Sequence, residues 1–173
     1  ERQEIAIPSV TWRLDTTEPQ VGILQVNLMA GSTAEEIQLA MADLRSRGAT
    51  HYVLDLRDNP GGYLTAGVDV ARLFLEEGIV LQQQYRGQEV DTYKVERPGP
   101  FSDIPLVALI NTGSASAAEI VAGALQAYGR APLVGLHSYG KDTVQLVFEL
   151  SDKSSLHITA ARWWVPALDE SIG

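Results

Sequence analysis

The sequence predicts an α/β domain with a largely parallel sheet. Short apolar runs that indicate buried strands alternate with amphipathic helical stretches, and this alternation is typical of parallel sheets covered by helices. Near the end of the chain, two strand-like runs joined by a short polar turn predict an antiparallel hairpin. The length of 173 residues is enough for one domain with a proper core.

The first part of the chain predicts three strands and two helices. Thr33 and Glu36 form a capping-box pattern at a helix start, and Gly48 lies where that helix should end. Asn-Pro-Gly-Gly is a tight turn by its dipeptides. The predicted segments are strands 5–14, 21–29 and 52–56, a helix over 33–47, a turn at 59–62, and a helix over 64–75 that Gly78 ends.

The second part predicts further strands around one helix. The helix follows Ser116 and ends at Gly129. A mostly polar stretch over 87–105 predicts a loop with room for a short hairpin. The strands are 79–86, 106–110 and 132–136, followed by the hairpin of 144–150 and 155–165 with its turn at 151–154.

Composition excludes several classes of function. The net charge of −9 opposes non-specific binding to nucleic acid, so we expect Trp163 and Trp164 to pack in the core or at an interface. The chain has no cysteine, which excludes disulfides and a thiolate nucleophile. It has no H-E-x-x-H pattern and no apolar run long enough to span a bilayer. We therefore expect no metal, no nucleic acid partner and no membrane span in this chain.

Two residues suggest acyl-transfer chemistry. Ser116 lies in a small-residue turn before a helix, and Lys141 lies in a turn between two strand-like runs. A serine hydroxyl is a weak nucleophile until a base takes its proton, and an uncharged lysine can be that base. Taken alone, Ser114 or Ser116 is better explained as a helix cap, and Lys141 as a solvated loop lysine.

Three segments together resemble the C-terminal processing peptidases, also called tail-specific proteases. They are Asp-Leu-Arg-Asp-Asn-Pro-Gly-Gly over 55–62, Gly-Ser-Ala-Ser-Ala-Ala-Glu over 113–119, and Gly-Lys-Asp-Thr-Val-Gln over 140–145. Residues 7–13 are typical of the strand that opens that family's protease core. The resemblance covers nearly the whole chain and implies a crotonase-like (Clp protease-like) fold of stacked β-β-α units.

The resemblance also implies roles for individual residues. Ser116 would be the nucleophile, Lys141 the general base, and Gln145 the residue that orients the lysine. Backbone N–H groups would form the oxyanion hole, one from Ala117 and one from the glycine turn, where Gly62 is preferred and Gly61 is the other candidate. Further expectations concern residues outside the chemistry: Ser114 as a cap or packing residue, and Asp55, Arg57 and Asn59 as structural residues that satisfy backbone groups.

The implied activity is that of a serine endopeptidase that cleaves proteins near an unstructured, apolar C-terminus, without a cofactor. The whole chain, 1–173, would be one protease core domain. A PDZ domain and a C-terminal extension would be absent from it but present in the full-length protein, and assembly into an oligomer is compatible with the resemblance. The expected location is outside the cytoplasm, in the periplasm, cell envelope or thylakoid lumen.

Several alternatives remain at this point. Asp142 stands where the family usually has glycine, and a carboxylate beside Lys141 would oppose its action as a base unless the side chain points away. His137 is the rival base, whereas His51 and His157 are expected to be packing or surface residues. The same scaffold could serve as a non-catalytic module that binds a ligand or peptide. The chain could also be an isolated core that is inactive without its missing segments.

Overall fold

The computed structural model describes residues 8–168, which form nine strands and three helices. The predicted segments all appear, with ends shifted by a few residues. In chain order they are β1 (Val10–Leu14), β2 (Val21–Val26), α1 (Thr33–Ser46), β3 (His51–Asp55), α2 (Leu64–Phe74), β4 (Ile79–Tyr85), β5 (Val90–Lys94), β6 (Leu106–Ile110), α3 (Ala117–Ala127), β7 (Leu133–Gly135), β8 (Thr143–Glu149) and β9 (Ser155–Trp164). Residues 5–7 of the predicted first strand lie outside the described residues.

The first sheet contains five strands in the order β1-β2-β3-β6-β7. Strand β1 is antiparallel to β2, and the other neighbours are parallel. The carboxyl ends of four parallel strands therefore meet at one edge, which is where open α/β sheets usually bind ligands. The segments that leave this edge are 27–32, 56–63, 111–116 and 136–142. They carry every predicted site residue except Gln145, on β8, and Ala117, the first residue of α3.

The second sheet is antiparallel throughout, with the strand order β5-β4-β9-β8. Strands β8 and β9 form the predicted C-terminal hairpin, and β5 pairs with β4 as the short hairpin allowed for in the polar stretch. The expectation of one largely parallel sheet is therefore right for the first sheet only. Strand β4 leaves that sheet because residues 82–85 pair with residues 161–164 of β9, far along the chain.

The helices bury their apolar faces as the sequence spacing predicts. Helix α1 buries Ile37, Met41 and Leu44, while α2 and α3 pack on each other. Within residues 8–168, none of the helices is long and apolar enough to cross a membrane.

The predicted capping box of α1 is wrong. Thr33 is the first helical residue rather than the cap, and its fully buried hydroxyl donates to Ser9 Oγ at 2.7 Å. Glu36 accepts instead from Val10 N at 2.9 Å and from Ser32 Oγ at 2.7 Å. Burial raises the pKa of Glu36, but these hydrogen bonds outweigh it and hold the pKa below its ordinary value. The carboxylate thus ties β1 to α1.

Candidate active site

Ser116 has a strained backbone conformation at the start of α3. Its φ of 55° and ψ of −116° are unusual for a residue with a side chain, and such strain persists only where the surroundings impose it. Two hydrogen bonds fix the turn: Ser116 N donates to Glu119 Oε2 at 2.6 Å, and Ala115 N donates to Asn59 O at 2.9 Å. The half-buried serine therefore projects from a backbone that is held rigidly.

The glycine turn lies directly against Ser116. A Cβ added to Gly61 would be 2.8 Å from Ser116 Cβ and 3.1 Å from Ala117 N, and one added to Gly62 would be 2.1 Å from Met29 O. Both glycines also have positive φ, 97° and 143°. Only glycine permits this backbone conformation and this close approach, so the sequence requirement for Gly-Gly follows from contact with the serine turn and with Met29.

The N–H groups of this region are used unequally. Gly61 N donates to Asn59 Oδ1 at 2.9 Å, so this N–H already has an acceptor. Among residues 8–168, no hydrogen bond is donated by Gly62 N or by Ala117 N. Ala117 is the first residue of α3, where N–H groups have no acceptor within the helix. The two unused donors are the preferred pair of the sequence analysis.

Buried side chains join the loops that carry these residues. Asn59 is fully buried and its Nδ2 donates to Val26 O at 2.8 Å, while Ser114 Oγ donates to Leu56 O at 2.8 Å. Asn111 accepts from Asp58 N at 2.9 Å. The structural roles expected for Asn59 and Ser114 are thereby confirmed. These bonds lock the ends of β2, β3 and β6 together.

Asp55 and Arg57 form the ion pair at the end of β3. Arg57 Nη2 lies 2.6 Å from Asp55 Oδ2, and Arg57 Nε donates to Asp55 Oδ1 at 2.8 Å. Burial raises the pKa of Asp55, but the hydrogen bonds and positive charge of Arg57 outweigh it and hold the pKa below its ordinary value. Asp55 Oδ1 also accepts from Arg57 N at 3.1 Å, so the pair shapes the turn, as expected.

Glu119 links the serine turn to the lysine loop. Its buried carboxylate accepts four hydrogen bonds, two on each oxygen. The donors are Ser138 Oγ at 2.8 Å and Gly140 N at 2.6 Å to Oε1, and Ser116 N at 2.6 Å and Lys141 N at 3.0 Å to Oε2. Glu119 is the last residue of the Gly-Ser-Ala-Ser-Ala-Ala-Glu segment, but no role was predicted for it from the sequence. The Ser-x-x-Glu spacing of a capping box was the available signal.

Lys141 is half-buried, and its backbone N–H donates to the same Glu119 oxygen as the backbone N–H of Ser116. Within the described residues Lys141 forms no ion pair, and the side chain of Asp142 is exposed. Gln145 is exposed on β8. No hydrogen bond joins the side chains of Ser116, Lys141 and Gln145 in residues 8–168. The structure thus brings the backbones of the serine, glycine and lysine segments together, whereas Gln145 lies on β8, four residues after Lys141 in the chain.

The histidines lie on the surface. His51 and His157 pair with neighbouring hydroxyls, Thr50 Oγ1 and Ser155 Oγ, as expected for surface residues. His137, the rival base, is exposed, and no hydrogen bond joins it to Ser116 in the described part of the chain. Residues 8–168 also contain no group of three or more metal-ligating side chains.

Comparison with known proteins assigns the family. Residues 20–172 match peptidase family S41. A carboxyl-terminal-processing protease of Synechocystis is 40% identical over 167 residues, and the carboxy-terminal processing protease CtpA of Bacillus subtilis is 35% identical over 158 residues. These alignments cover 95% and 91% of this chain. The chain therefore belongs to peptidase family S41, within the group of carboxyl-terminal-processing proteases, and the resemblance noted in the sequence is confirmed.

Solved structures agree with this assignment. The photosystem II D1 C-terminal processing protease superimposes with a TM-score of 0.78 at 34% identity, covering 96% of this chain and 46% of that one. A putative S41 protease from Bacteroides fragilis shares the fold, with a TM-score of 0.74 at 17% identity. The chain spans 39% of the length of the Synechocystis relative and 34% of that of the Bacillus one.

Proposed function

We propose that this chain is the catalytic core of a serine endopeptidase in which Ser116 is the nucleophile and Lys141 the general base. One observation carries the proposal: Glu119 holds the backbone N–H of both residues, at 2.6 Å and 3.0 Å, beside a glycine turn that contacts the serine. A nucleophile next to unused N–H groups and within reach of a base is the arrangement that acyl transfer needs.

The proposed reaction has two stages, acylation of Ser116 and hydrolysis of the acyl-serine. Ser116 Oγ attacks the peptide carbonyl carbon while Lys141 Nζ accepts the hydroxyl proton. The N–H groups of Gly62 and Ala117 donate to the oxyanion of the tetrahedral intermediate. The lysine then gives its proton to the leaving amine, which releases the C-terminal product and leaves an acyl-serine. Water, deprotonated by the same lysine, hydrolyses this ester, and Gln145 orients the lysine throughout.

The use of backbone N–H groups within residues 8–168 supports Gly62 rather than Gly61 as the second oxyanion donor. Gly61 N is already bonded to Asn59 Oδ1 at 2.9 Å, and breaking that bond would leave a buried amide oxygen unpaired at a cost of about 1–3 kcal/mol. An oxyanion hole works because its donors need no rearrangement during the reaction. Gly62 N and Ala117 N meet that requirement.

The substrate and location that we propose follow from the names of the relatives. Because they are carboxyl-terminal-processing proteases, we infer that this protein cleaves protein substrates near an unstructured, apolar C-terminus. Relatives include a chloroplastic peptidase of Arabidopsis and the photosystem II D1 processing protease, which supports a location outside the cytoplasm, in the periplasm, cell envelope or thylakoid lumen. We also propose that this chain has a crotonase-like fold. The full-length protein would carry a PDZ domain and assemble into an oligomer.

Cleavage of an unfolded protein with an apolar C-terminal tail tests this function. The full-length protein is compared with its Ser116→Ala and Lys141→Ala variants, and with Ser102→Ala and Lys94→Ala as matched changes elsewhere. We expect the first pair to abolish cleavage and the second pair to leave it unchanged. Cleavage that survives Ser116→Ala would refute the proposed nucleophile. No cleavage by any form would favour the non-catalytic binding module.

A further inference from the structure

Within residues 8–168, the outer edge of β8 has no partner strand, and the strand starts beside the candidate active site. In the described part of the chain, β8 pairs only with β9, and it begins at Thr143, two residues after Lys141. It is seven residues long, Thr-Val-Gln-Leu-Val-Phe-Glu, with Leu146, Val147 and Phe148 all exposed by 42–59%. An exposed, apolar edge of this length is a template for pairing with another chain.

The other three sheet edges carry the features that normally prevent such pairing. Strand β1 is tied to α1 through Val10 N and through Trp12 Nε1, which donates to Asp43 Oδ2 at 2.9 Å. Strand β5 carries the charged residues Asp91 and Lys94. Strand β7 has only three residues. Short or charged edges resist association, whereas β8 contains no lysine, arginine or proline and only one terminal glutamate.

The register identifies the backbone groups that face outward. Leu150 N donates to Ser154 O at 2.8 Å, which makes these residues the hydrogen-bonded pair that closes the β8–β9 hairpin. Hydrogen-bonded and non-hydrogen-bonded pairs alternate in antiparallel ladders. Counting back through the Cα partners, the pairs of Glu149, Val147 and Gln145 are non-hydrogen-bonded. Their N–H and C=O groups therefore point away from β9, toward the free edge.

We propose that this edge binds the substrate main chain as an added strand, which delivers an extended segment to Ser116. The proposal rests on the proposed function and names its recognition mode. Only an unfolded segment can offer its backbone to a strand edge, so the edge selects unstructured tails and tolerates varied sequences. The exposed apolar side chains of β8 add a preference for apolar residues.

Peptide binding to the Ser116→Ala form of the full-length protein tests the edge without needing catalysis. The probe is a fluorescein-labelled, unstructured peptide with an apolar C-terminus, followed by anisotropy. Val147→Pro removes one outward N–H and leaves the β8–β9 bonds in place, while Val147→Thr keeps the N–H and serves as the control. Loss of one backbone hydrogen bond should weaken binding by about fivefold to tenfold, and the threonine control should bind nearly as well as the parent.

Substrate variants repeat the test on an unaltered protein. N-methylation of single peptide bonds should weaken binding at alternate positions only, because every second residue of an added strand faces the edge. Equal binding by Val147→Pro, or N-methyl effects without alternation, would overturn the inference. A dimer in light scattering that Val147→Pro dissociates would overturn it too, since a second copy would then occupy the edge. The proposed function is judged separately, by cleavage in the Ser116→Ala comparison.

Discussion

Replacing Glu119 with glutamine removes the charge at the centre of the site and keeps the shape of the side chain. The native carboxylate accepts four hydrogen bonds, two on each oxygen. A glutamine amide has one carbonyl oxygen that can accept two of them, and an NH₂ group that can only donate. Two of the four donors would then face another donor in a buried place.

The size of the effect follows from these contacts. Each buried donor left without an acceptor costs about 1–3 kcal/mol, so the substitution should lower the free energy of unfolding by about 2–6 kcal/mol. This donor–donor repulsion is relieved most simply if the segment over 138–141 moves away from the serine turn. Because a misplacement of about 1 Å can cost about 10²-fold in rate, we expect kcat to fall by about that factor with little change in KM.

Steady-state cleavage and urea unfolding measure the two effects on the same preparation. Glu77→Gln makes the same change of charge at an exposed position and should alter neither quantity. If Glu119→Gln retained native kcat and native stability, the carboxylate would not hold the two segments together and the reasoning would fail. A loss of stability with unchanged kcat would limit Glu119 to a structural role.

Three further predictions concern the frame of the site. Asp55→Asn should lower stability at neutral pH by about 1 kcal/mol, since its arginine partner is half exposed. The lowered pKa of Asp55 means that its contribution is present above the ordinary carboxyl pKa of about 3.9 and is lost as the pH falls through the native value. The difference in urea midpoint between native and variant protein should therefore shrink in acid, and a constant difference would contradict the ion pair. Gly67→Ala would place a methyl 2.7 Å from the carbonyl oxygen of the first α3 residue, so we expect a loss of about 1–3 kcal/mol and lower kcat. Gly31→Ala, with nothing within 4 Å, is its control, and equal effects of the two would argue against the packing. Arg130 donates to three backbone carbonyls at 2.7–2.9 Å, so Arg130→Met should cost about 2–4 kcal/mol in thermal or urea unfolding, with partial rescue by Arg130→Lys.

Local elements of the fold could be predicted from the sequence because their signals are local. The apolar spacing of Ile37, Met41 and Leu44 indicated the buried face of α1, and the Asn-Pro-Gly-Gly turn indicated the loop after β3. Gly48 ends α1 with φ of 96°, as its position after the helix predicted. The hairpin of β8 and β9 was predictable for the same reason, since its strands are adjacent in the chain.

Pairing between distant segments left no such signal. Nothing in residues 79–86 indicates that Gln82 pairs with Trp164, so the second sheet was not foreseen. Thr33 has the sequence pattern of a helix cap, but its buried hydroxyl donates a hydrogen bond to Ser9 Oγ instead. Glu119 was visible only as a residue three places after Ser116, and its bonds to residues 138–141 depend on the tertiary fold.

The assignment of Ser116 as nucleophile is the central claim, and mass spectrometry of a trapped intermediate tests it most directly. The full-length protein is mixed briefly with a peptide ester substrate, quenched in acid and measured intact, then digested. We predict an added mass equal to the N-terminal part of the substrate, located on the fragment that contains Ser116 and absent from Ser116→Ala. An adduct on another residue, or turnover that continues in Ser116→Ala, would contradict it.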